Sequence, residues 1–374
     1  MIHADRRQTI AATIACGLIV AVAVALWRDR PGAHDGALRF AVVQGDLAKA
    51  AKLLRRGANP NGTADQPVLV LETALLFAPK NREEMVALLL KHGADPNAVL
   101  HGDSVLTQGM FIRRISPGML SLFAENGADF NRKDNQGNTF LHKALRYPYA
   151  DPRLIPILLA NGADPDVPDS QGEASLRKAV DMHAPQAAEV VKLLIAHGAD
   201  VNGKDSKGHI SLCRSLAASE DVILALVEGG SDLTALDDLG ETPLLMAVRW
   251  HKFKAARAMI EKGADIHAEN KGGTTALFGA ASEGDLGLVK ILVENGARVG
   301  HANSGGYTPL HSAAAGYRQE VAAYLIGKGA KINRKTSKGL TPLAYAKTHR
   351  GDPSPDGQKR KQALIQYLVA QGTE

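Results

Sequence analysis

Five aspartates recur in near-identical phrases along this chain, and carboxylates are the side chains that general acid–base chemistry or cation binding would need. The phrases KHGADPN, ENGADFN, ANGADPD, AHGADVN and EKGADIH contain Asp95, Asp129, Asp164, Asp200 and Asp265. The same position holds Asn59 in an earlier copy, and Arg298 and Lys331 in later copies. A carboxylate required for chemistry would not be replaced by a cation. We therefore interpret these aspartates as turn residues.

No other motif of catalysis or metal binding accompanies them in the sequence. Gly-rich phosphate loops and the G-x-S-x-G, H-E-x-x-H and C-x-x-C motifs do not occur, and no two of the thirteen histidines are four residues apart. Cys16 lies in an apolar run, so neither a disulfide with Cys213 nor a cysteine-based metal site is expected. We therefore predict no enzyme activity, no cofactor, no metal and no small-molecule substrate.

The overall charge does not suggest a nucleic-acid partner. The chain contains 44 Lys and Arg against 39 Asp and Glu, and its formal net charge is +5 over 374 residues. This surplus is too small for the basic footprint of a nucleic-acid-binding protein. Aromatic residues make up only 5% of the chain, which favours small, closely packed helices over a sheet-rich enzyme core.

The aspartates belong to an internal repeat. Each phrase has a glycine two residues before its acidic position, and these glycines recur every 32–36 residues. They are Gly57, Gly93, Gly127, Gly162, Gly198, Gly230, Gly263, Gly296 and Gly329. A second phrase recurs with the same period as the first, for example as TPLHSA at 308–313, TPLLMA at 242–247 and TFLHKA at 139–144. A period this regular predicts a stacked array.

The two phrases resemble the ankyrin repeat, which has a T-P-L-H-x-A motif and a period of about 33 residues. The resemblance covers about 36–374 in about ten repeats, of which the first and last are degenerate. It implies an all-α solenoid of stacked helix-turn-helix units joined by short hairpin fingers, with a role in protein binding. It also implies that His142 and His311, in the second phrase, are structural hydrogen-bonding residues.

The residue types of the second phrase support this fold independently. Thr308 and Thr242 can cap a helix N-terminus through their hydroxyl groups, and Pro309 and Pro243 at the next position lose no hydrogen bond. Leu310 then faces the core. The recurring glycines end the second helix of each repeat, because a left-handed residue at a helix C-terminus costs glycine little.

The N-terminal segment is predicted to be a membrane-spanning helix. Residues 10–27 carry no charge and are flanked by arginines, and a helix of that length rises about 27 Å. The predicted organisation is a tail at 1–8, a transmembrane signal-anchor at 9–27, a linker at 28–35 and the repeat domain at 36–374. The expected localisation is a bacterial inner membrane, with the array in the periplasm. The alternative is a cleaved signal peptide and a soluble periplasmic protein, since AVAVA at 21–25 supplies small residues.

Exposed aromatic residues on the inner helices and fingers indicate where a partner binds. By analogy with the family's concave surface, the candidate partner-binding residues are Trp250, His251, Phe278 and Tyr307. The alternative for Phe278 is that it packs between repeats.

The predicted function is a non-catalytic, membrane-tethered scaffold that binds a protein partner of unknown identity. One alternative is a toxin-neutralising or stress-protection binding protein of the bacterial periplasm. Another is an enzyme or an enzyme accessory subunit, with a site in the irregular repeats three to five. Those repeats depart from the pattern, for example through the extra residues RYPYADPR at 146–153.

Overall fold

The computed structural model describes residues 33–62, 70–78, 81–100, 103–106, 115–146, 151–182, 184–215, 218–349 and 352–372. These residues form two compact units. The first unit contains the described residues from 33 to 182 together with Ala196–Ala199, and the second contains those of 184–195 and 200–372. Helix α1 begins at Ala33, three residues before the predicted start of the array.

In the first unit, short helices form two layers. The described elements are α1 Ala33–Gln44, α2 Leu47–Arg55, α3 Val70–Phe77, α4 Arg82–Lys91, β1 Val99–Leu100, β2 Asp103–Ser104, α5 Pro117–Glu125, α6 Phe140–Leu145, α7 Ile155–Ala160 and α8 Ser175–Val180. Helices α1 and α3, and likewise α6 and α8, pack side by side as an inner layer. Helices α2, α4, α5 and α7 pack in series as an outer layer. Strands β1 and β2 pair antiparallel as a minimal hairpin.

The second unit has the same two-layer arrangement. Its described elements are α9 Ala187–Ala196, α10 Ser211–Arg214, α11 Glu220–Glu228, α12 Pro243–Arg249, α13 Phe253–Glu261, α14 Ala276–Glu283, α15 Leu286–Glu294, α16 Pro309–Ala315, α17 Gln319–Gly327, α18 Pro342–Thr348 and α19 Pro355–Ala370. The inner layer stacks α10, α12, α14, α16 and α18, and the outer layer stacks α11, α13, α15, α17 and α19. Within these two stacks of the unit, each helix therefore packs against its neighbours in the same layer.

The second phrase of the repeat forms the start of each inner helix. Thr242 is the N-cap of α12 and its hydroxyl accepts a hydrogen bond from the backbone N–H of Leu245. Pro243 and Pro309 follow their capping threonines as the first residues of α12 and α16. Leu310 is fully buried. The capping threonine and the proline of this phrase thus start the helix, and its leucine packs in the core.

Alanines allow the inner helices to lie close together. Ala247, Ala280, Ala313 and Ala346 are fully buried at matching positions of α12, α14, α16 and α18. A methyl group at this position leaves little distance between neighbouring helices. One helix pair is too small to bury its own apolar stripe, so stacking of neighbouring pairs supplies the core.

The outer helices end at the recurring glycines. The nine glycines from Gly57 to Gly329 that mark the repeat all have φ between +81° and +100°. This left-handed conformation reverses the chain at the helix end and is strained for other residues. The exit from each repeat is therefore a tight turn of uniform geometry.

The predicted membrane-spanning architecture is wrong. Among the residues that the structure describes, no helix is both long and apolar enough to cross a membrane. The longest of them, α19, has 16 residues and contains Lys359, Arg360 and Lys361, whereas a spanning helix needs about 20 predominantly apolar residues. The predicted span at 9–27 lies outside the described residues. We therefore correct the fold class to an all-helical repeat array, and the single-pass localisation based on the span is withdrawn.

Candidate interaction surface

All five recurring aspartates make the same local hydrogen bond. In each case Oδ1 accepts the backbone N–H two residues further along the chain, at 2.8–2.9 Å. The five acceptors are Asp95, Asp129, Asp164, Asp200 and Asp265, and the donors are Asn97, Asn131, Asp166, Asn202 and His267. The carboxylates therefore stabilise the turn that leaves each outer helix.

Four asparagines, each two residues after the acidic position or its Asn59 equivalent, join their repeat to the next. The amide oxygen of Asn97 accepts the backbone N–H of Asp129 at 2.7 Å, and its amide nitrogen donates to the carbonyl of Gly127 at 2.8 Å. Asn61, Asn131 and Asn202 make the equivalent pair of bonds. We call these four residues the asparagine ladder. Sequence reasoning missed the ladder, although the recurrence of Asn at this position was a visible signal.

Replacing Asn97 with alanine is expected to destabilise the neighbouring repeat by about 1–2 kcal/mol, because two hydrogen bonds between repeats are lost. Hydrogen exchange at the Asp129 amide should accelerate about tenfold or more. The matched control is Asn126→Ala, since the amide of Asn126 bonds only to its own helix at Leu122. Equal protection of the Asp129 amide in both variants would show that the ladder does not hold the repeats together.

The fingers contain a second recurring turn, with an acidic or amide side chain at its start. Oδ1 of Asp134 accepts the backbone N–H groups of Gln136 and Asn138, both at 2.8 Å. Asp169, Asp205, Asp237, Asn270 and Asn303 make the same pair of bonds. Each of these six turns is thus closed by its own first residue before a partner binds.

Cations on three successive inner helices neutralise the finger carboxylates. Lys143 lies 2.6 Å from Asp134 and Lys178 lies 2.8 Å from Asp169, while Arg214 is 3.7 Å from Asp205. Burial works to raise the pKa of Asp134 and Asp169, but hydrogen bonds from the lysines and from backbone N–H groups outweigh it and lower both pKa values. These carboxylates stay charged at neutral pH and are already paired.

A groove opens between the fingers and inner helices α6 and α8. Its volume is about 710 Å³. Lining residues include Asn135, Asn138, Arg146, Gln171 and Met182. The wall combines polar side chains with the apolar side chains of Leu145 and Met182.

The histidines of the second phrase are buried structural residues. Nδ1 of His311 lies 3.2 Å from the Thr308 backbone nitrogen, and Nε2 lies 3.1 Å from the carbonyl oxygen of Leu340 in the next repeat. His142 makes the equivalent contacts with Thr139 and Glu173. Burial lowers the pKa of both imidazoles and outweighs the opposing effect of the carbonyl contacts.

Neither a metal-binding cluster nor a cysteine with a lowered pKa is found among the described residues. Over these ranges no group of three or more His, Cys, Asp or Glu side chains is placed to hold a metal ion. Burial, followed by the charges of Asp237 and Asp232, raises the pKa of the Cys213 thiol to about 11. That thiol is protonated at neutral pH and is a poor nucleophile.

The four candidate partner-binding residues differ in exposure. Trp250 is 51% exposed at the C-terminus of α12, and His251 beside it is also exposed. Tyr307 is half-buried, with its ring 5.1 Å from that of Tyr345. Phe278 is only 3% exposed, and its ring packs edge-on against His301 at 5.9 Å. The structure therefore does not bring these residues into one exposed patch, and Phe278 packs between repeats.

The layers, turns and fingers define a helical-repeat protein whose units join two antiparallel helices to a finger. The family model described as ankyrin repeats (3 copies) matches residues 114–205, 215–303 and 277–372, and the model described as ankyrin repeat matches residues 71–99. The chain belongs to the ankyrin repeat family, as the sequence predicted. Ankyrin repeats are protein–protein interaction modules. No curated protein matches the chain.

Proposed function

We propose that this protein is a non-catalytic scaffold that binds a protein partner through the surface of its seventh repeat. Three large apolar side chains are exposed there: Leu236 (57%), Leu239 (51%) and Trp250 (51%). They lie within 15 residues of sequence, on one finger and the inner helix that follows it. Half of the exposed large hydrophobic residues in the described part of the chain are therefore concentrated in this repeat.

The framework around these side chains is held in place before a partner arrives. Oδ1 of Asp237 closes the finger by accepting the N–H groups of Leu239 and Glu241 at 2.8 Å. Arg249, next to Trp250, reaches back to Glu241 at 3.0 Å and to Asp237 at 3.7 Å. A preformed surface loses little conformational entropy on association, and a half-exposed tryptophan is the residue type most often found at binding hot spots.

The turn after Trp250 is a strained feature of the same surface. His251 has φ of +57°, and the equivalent position of the eighth repeat is Gly284 with φ of +82°. A left-handed conformation costs an L-residue about 1–2 kcal/mol. The ring of His251 packs edge-on against Phe253, and Nδ1 lies 3.3 Å from Oε2 of Glu283. These contacts fix the orientation of the imidazole at the turn that follows Trp250.

Trp250→Ala is expected to lower partner capture by the immobilised full-length chain at least about tenfold, because a hot-spot tryptophan contributes about 2 kcal/mol or more. The capture is made from an extract of the source cells and quantified by mass spectrometry. Val369→Ala is the matched control, since Val369 is 52% exposed on α19 of the same unit. Both variants should keep the wild-type helical circular dichroism.

A partner that is recovered equally with wild type and Trp250→Ala, or lost equally with Val369→Ala, would show that the seventh repeat is not the contact surface. If a reaction product accumulated in the presence of the purified chain, the non-catalytic part of the proposal would be wrong.

A further inference from the structure

The charge of the second unit is strongly asymmetric along its repeats. Residues 200–294 contain ten Lys and Arg against fifteen Asp and Glu, whereas residues 295–349 contain eight Lys and Arg and a single acidic residue, Glu320. The small net charge of the whole chain conceals this local excess. The positive field of the unit is therefore concentrated in the last repeats.

A cluster of four cations lies on the finger before α18. Lys331, Arg334, Lys335 and Lys338 are all exposed on this finger, and Lys347 is exposed on α18. Within the described residues, no carboxylate lies within ion-pair distance of any of the five. This finger thus differs from those of the fourth to seventh repeats, where carboxylates are paired with lysine or arginine.

Partly exposed aromatic rings lie beside these cations. Tyr345 on α18 contacts Tyr307 at a centroid distance of 5.1 Å and His349 at 5.2 Å. The buried ring of His311 lies 5.8 Å from Tyr307 and 6.4 Å from Tyr345. Arg334 is close enough to His311 for its charge to help lower the pKa of that imidazole, after the larger effect of burial. The cationic finger and the aromatic rings are therefore neighbours.

The finger is fixed to the one before it. The backbone N–H and hydroxyl group of Ser337 both donate to the carbonyl of Gly305, at 3.0 and 2.9 Å. Ser304 makes the same two bonds to Gly272, one finger earlier. The cations are carried on a hydrogen-bonded loop, and their spacing is set in advance of binding.

We propose that the finger of residues 331–338 and the rings of Tyr307 and Tyr345 form a docking site for an acidic segment of a protein that also carries apolar or aromatic side chains. This inference rests on the proposed protein-binding role and specifies the chemistry of a partner. Carboxylates of the segment pair with the finger cations, and its aromatic side chains pack on the tyrosine rings.

A nucleic acid fits this surface less well. A phosphate backbone that extended from the finger along the unit would meet the acidic excess of residues 200–294. A protein segment, in contrast, can have carboxylates where it meets the cations and uncharged side chains where it meets the acidic region. Since surface charges are screened over about 8 Å at physiological salt, the local imbalance decides the partner more than the net charge does.

The test uses fluorescence anisotropy with the full chain and a fluorescein-labelled peptide of alternating glutamate and phenylalanine. Arg334→Glu, Lys335→Glu and Lys338→Glu, combined in one variant, should weaken binding at least about tenfold. The control combines Lys254→Glu, Lys262→Glu and Lys271→Glu, which reverses the same number of exposed charges in the same unit and should change binding less than about twofold. Tyr345→Ser should weaken binding without changing its salt dependence.

Several outcomes would overturn the inference. One is that a peptide with glutamine in place of glutamate binds as tightly as the original. A second is that the finger variant and the control variant lose the same amount of binding. A third is that the finger variant binds the peptide as tightly as the wild-type chain does. Tighter binding of an oligothymidine strand or of phosphatidylserine vesicles through the same cations would replace the acidic segment with another partner class. If the peptide fails to bind while Trp250-dependent capture persists, this inference alone fails. If capture is independent of Trp250 while the peptide binds as expected, the seventh-repeat surface fails instead.

Discussion

Gly316→Ala is expected to destabilise the protein by about 2–3 kcal/mol, although it adds a single methyl group. A Cβ atom at this position would lie 2.1 Å from the backbone carbonyl oxygen of Ser282 in the preceding repeat. No real Cβ contact is this short, so the two repeats would have to move apart. The same carbonyl accepts a hydrogen bond from Nε of Arg318 at 2.9 Å, and this bond would be displaced.

Chemical denaturation followed by circular dichroism measures the effect, with Gly327→Ala as the matched control. Gly327 is the last residue of α17, and no atom lies within 4 Å of a Cβ built there. Alanine at this helical position should be neutral or stabilising by up to about 1 kcal/mol. Similar destabilisation by both substitutions would mean that close packing at Gly316 does not set the spacing of the repeats.

His311→Ala is expected to cost about 3 kcal/mol of stability at neutral pH. The substitution removes a fully buried ring and leaves the Leu340 carbonyl without its imidazole contact, and each buried polar group left unsatisfied costs about 1–3 kcal/mol. His267→Ala is the control, because His267 is exposed in the same unit and should change stability by less than about 0.5 kcal/mol.

The pH dependence separates this role from simple packing. His311 has a lowered pKa in the folded state, so the unfolded chain binds the proton first as the pH falls. The contribution of the buried, neutral imidazole to the free energy of unfolding is therefore fully present above the unfolded pKa of about 6.5. It decreases as the pH falls below this value, by up to about 1.4 kcal/mol per pH unit for each such histidine. His142 contributes in the same direction.

Carboxylates with lowered pKa values, such as Asp134 and Asp169, lose their contribution only below about pH 4. The histidine effect should thus dominate between about pH 6.5 and 5. His311→Ala should flatten the dependence in this window. A wild-type stability that is constant between these pH values would contradict the buried, neutral state of the imidazoles.

Local backbone chemistry made most of the fold predictable from sequence. A capping threonine, a proline at the first helical position and a glycine at the helix exit act over a few residues, and their regular spacing indicated the stacked array. The turn role of the five aspartates followed from the cations that replace them in later copies.

Features that depend on neighbouring repeats were harder to predict. Sequence alone could not decide that Phe278 is buried and Trp250 exposed, because burial depends on the side chains that stack above and below. The basic finger was missed because charge was summed over the whole chain. The predicted membrane span was based on the uncharged length of residues 10–27 and on the arginines that flank it, and this segment lies outside the described residues.

The asparagine ladder also affects how this chain can change in evolution. The glycines that it links are 36, 34, 35 and 32 residues apart in the four cases, yet the distance from asparagine Oδ1 to the next aspartate nitrogen is 2.7 Å each time. Differences in repeat length are taken up between the ladder positions, as in the inserted residues 146–153. Insertions there leave the alignment of repeats intact, so new loops can be added and selected without rebuilding the array.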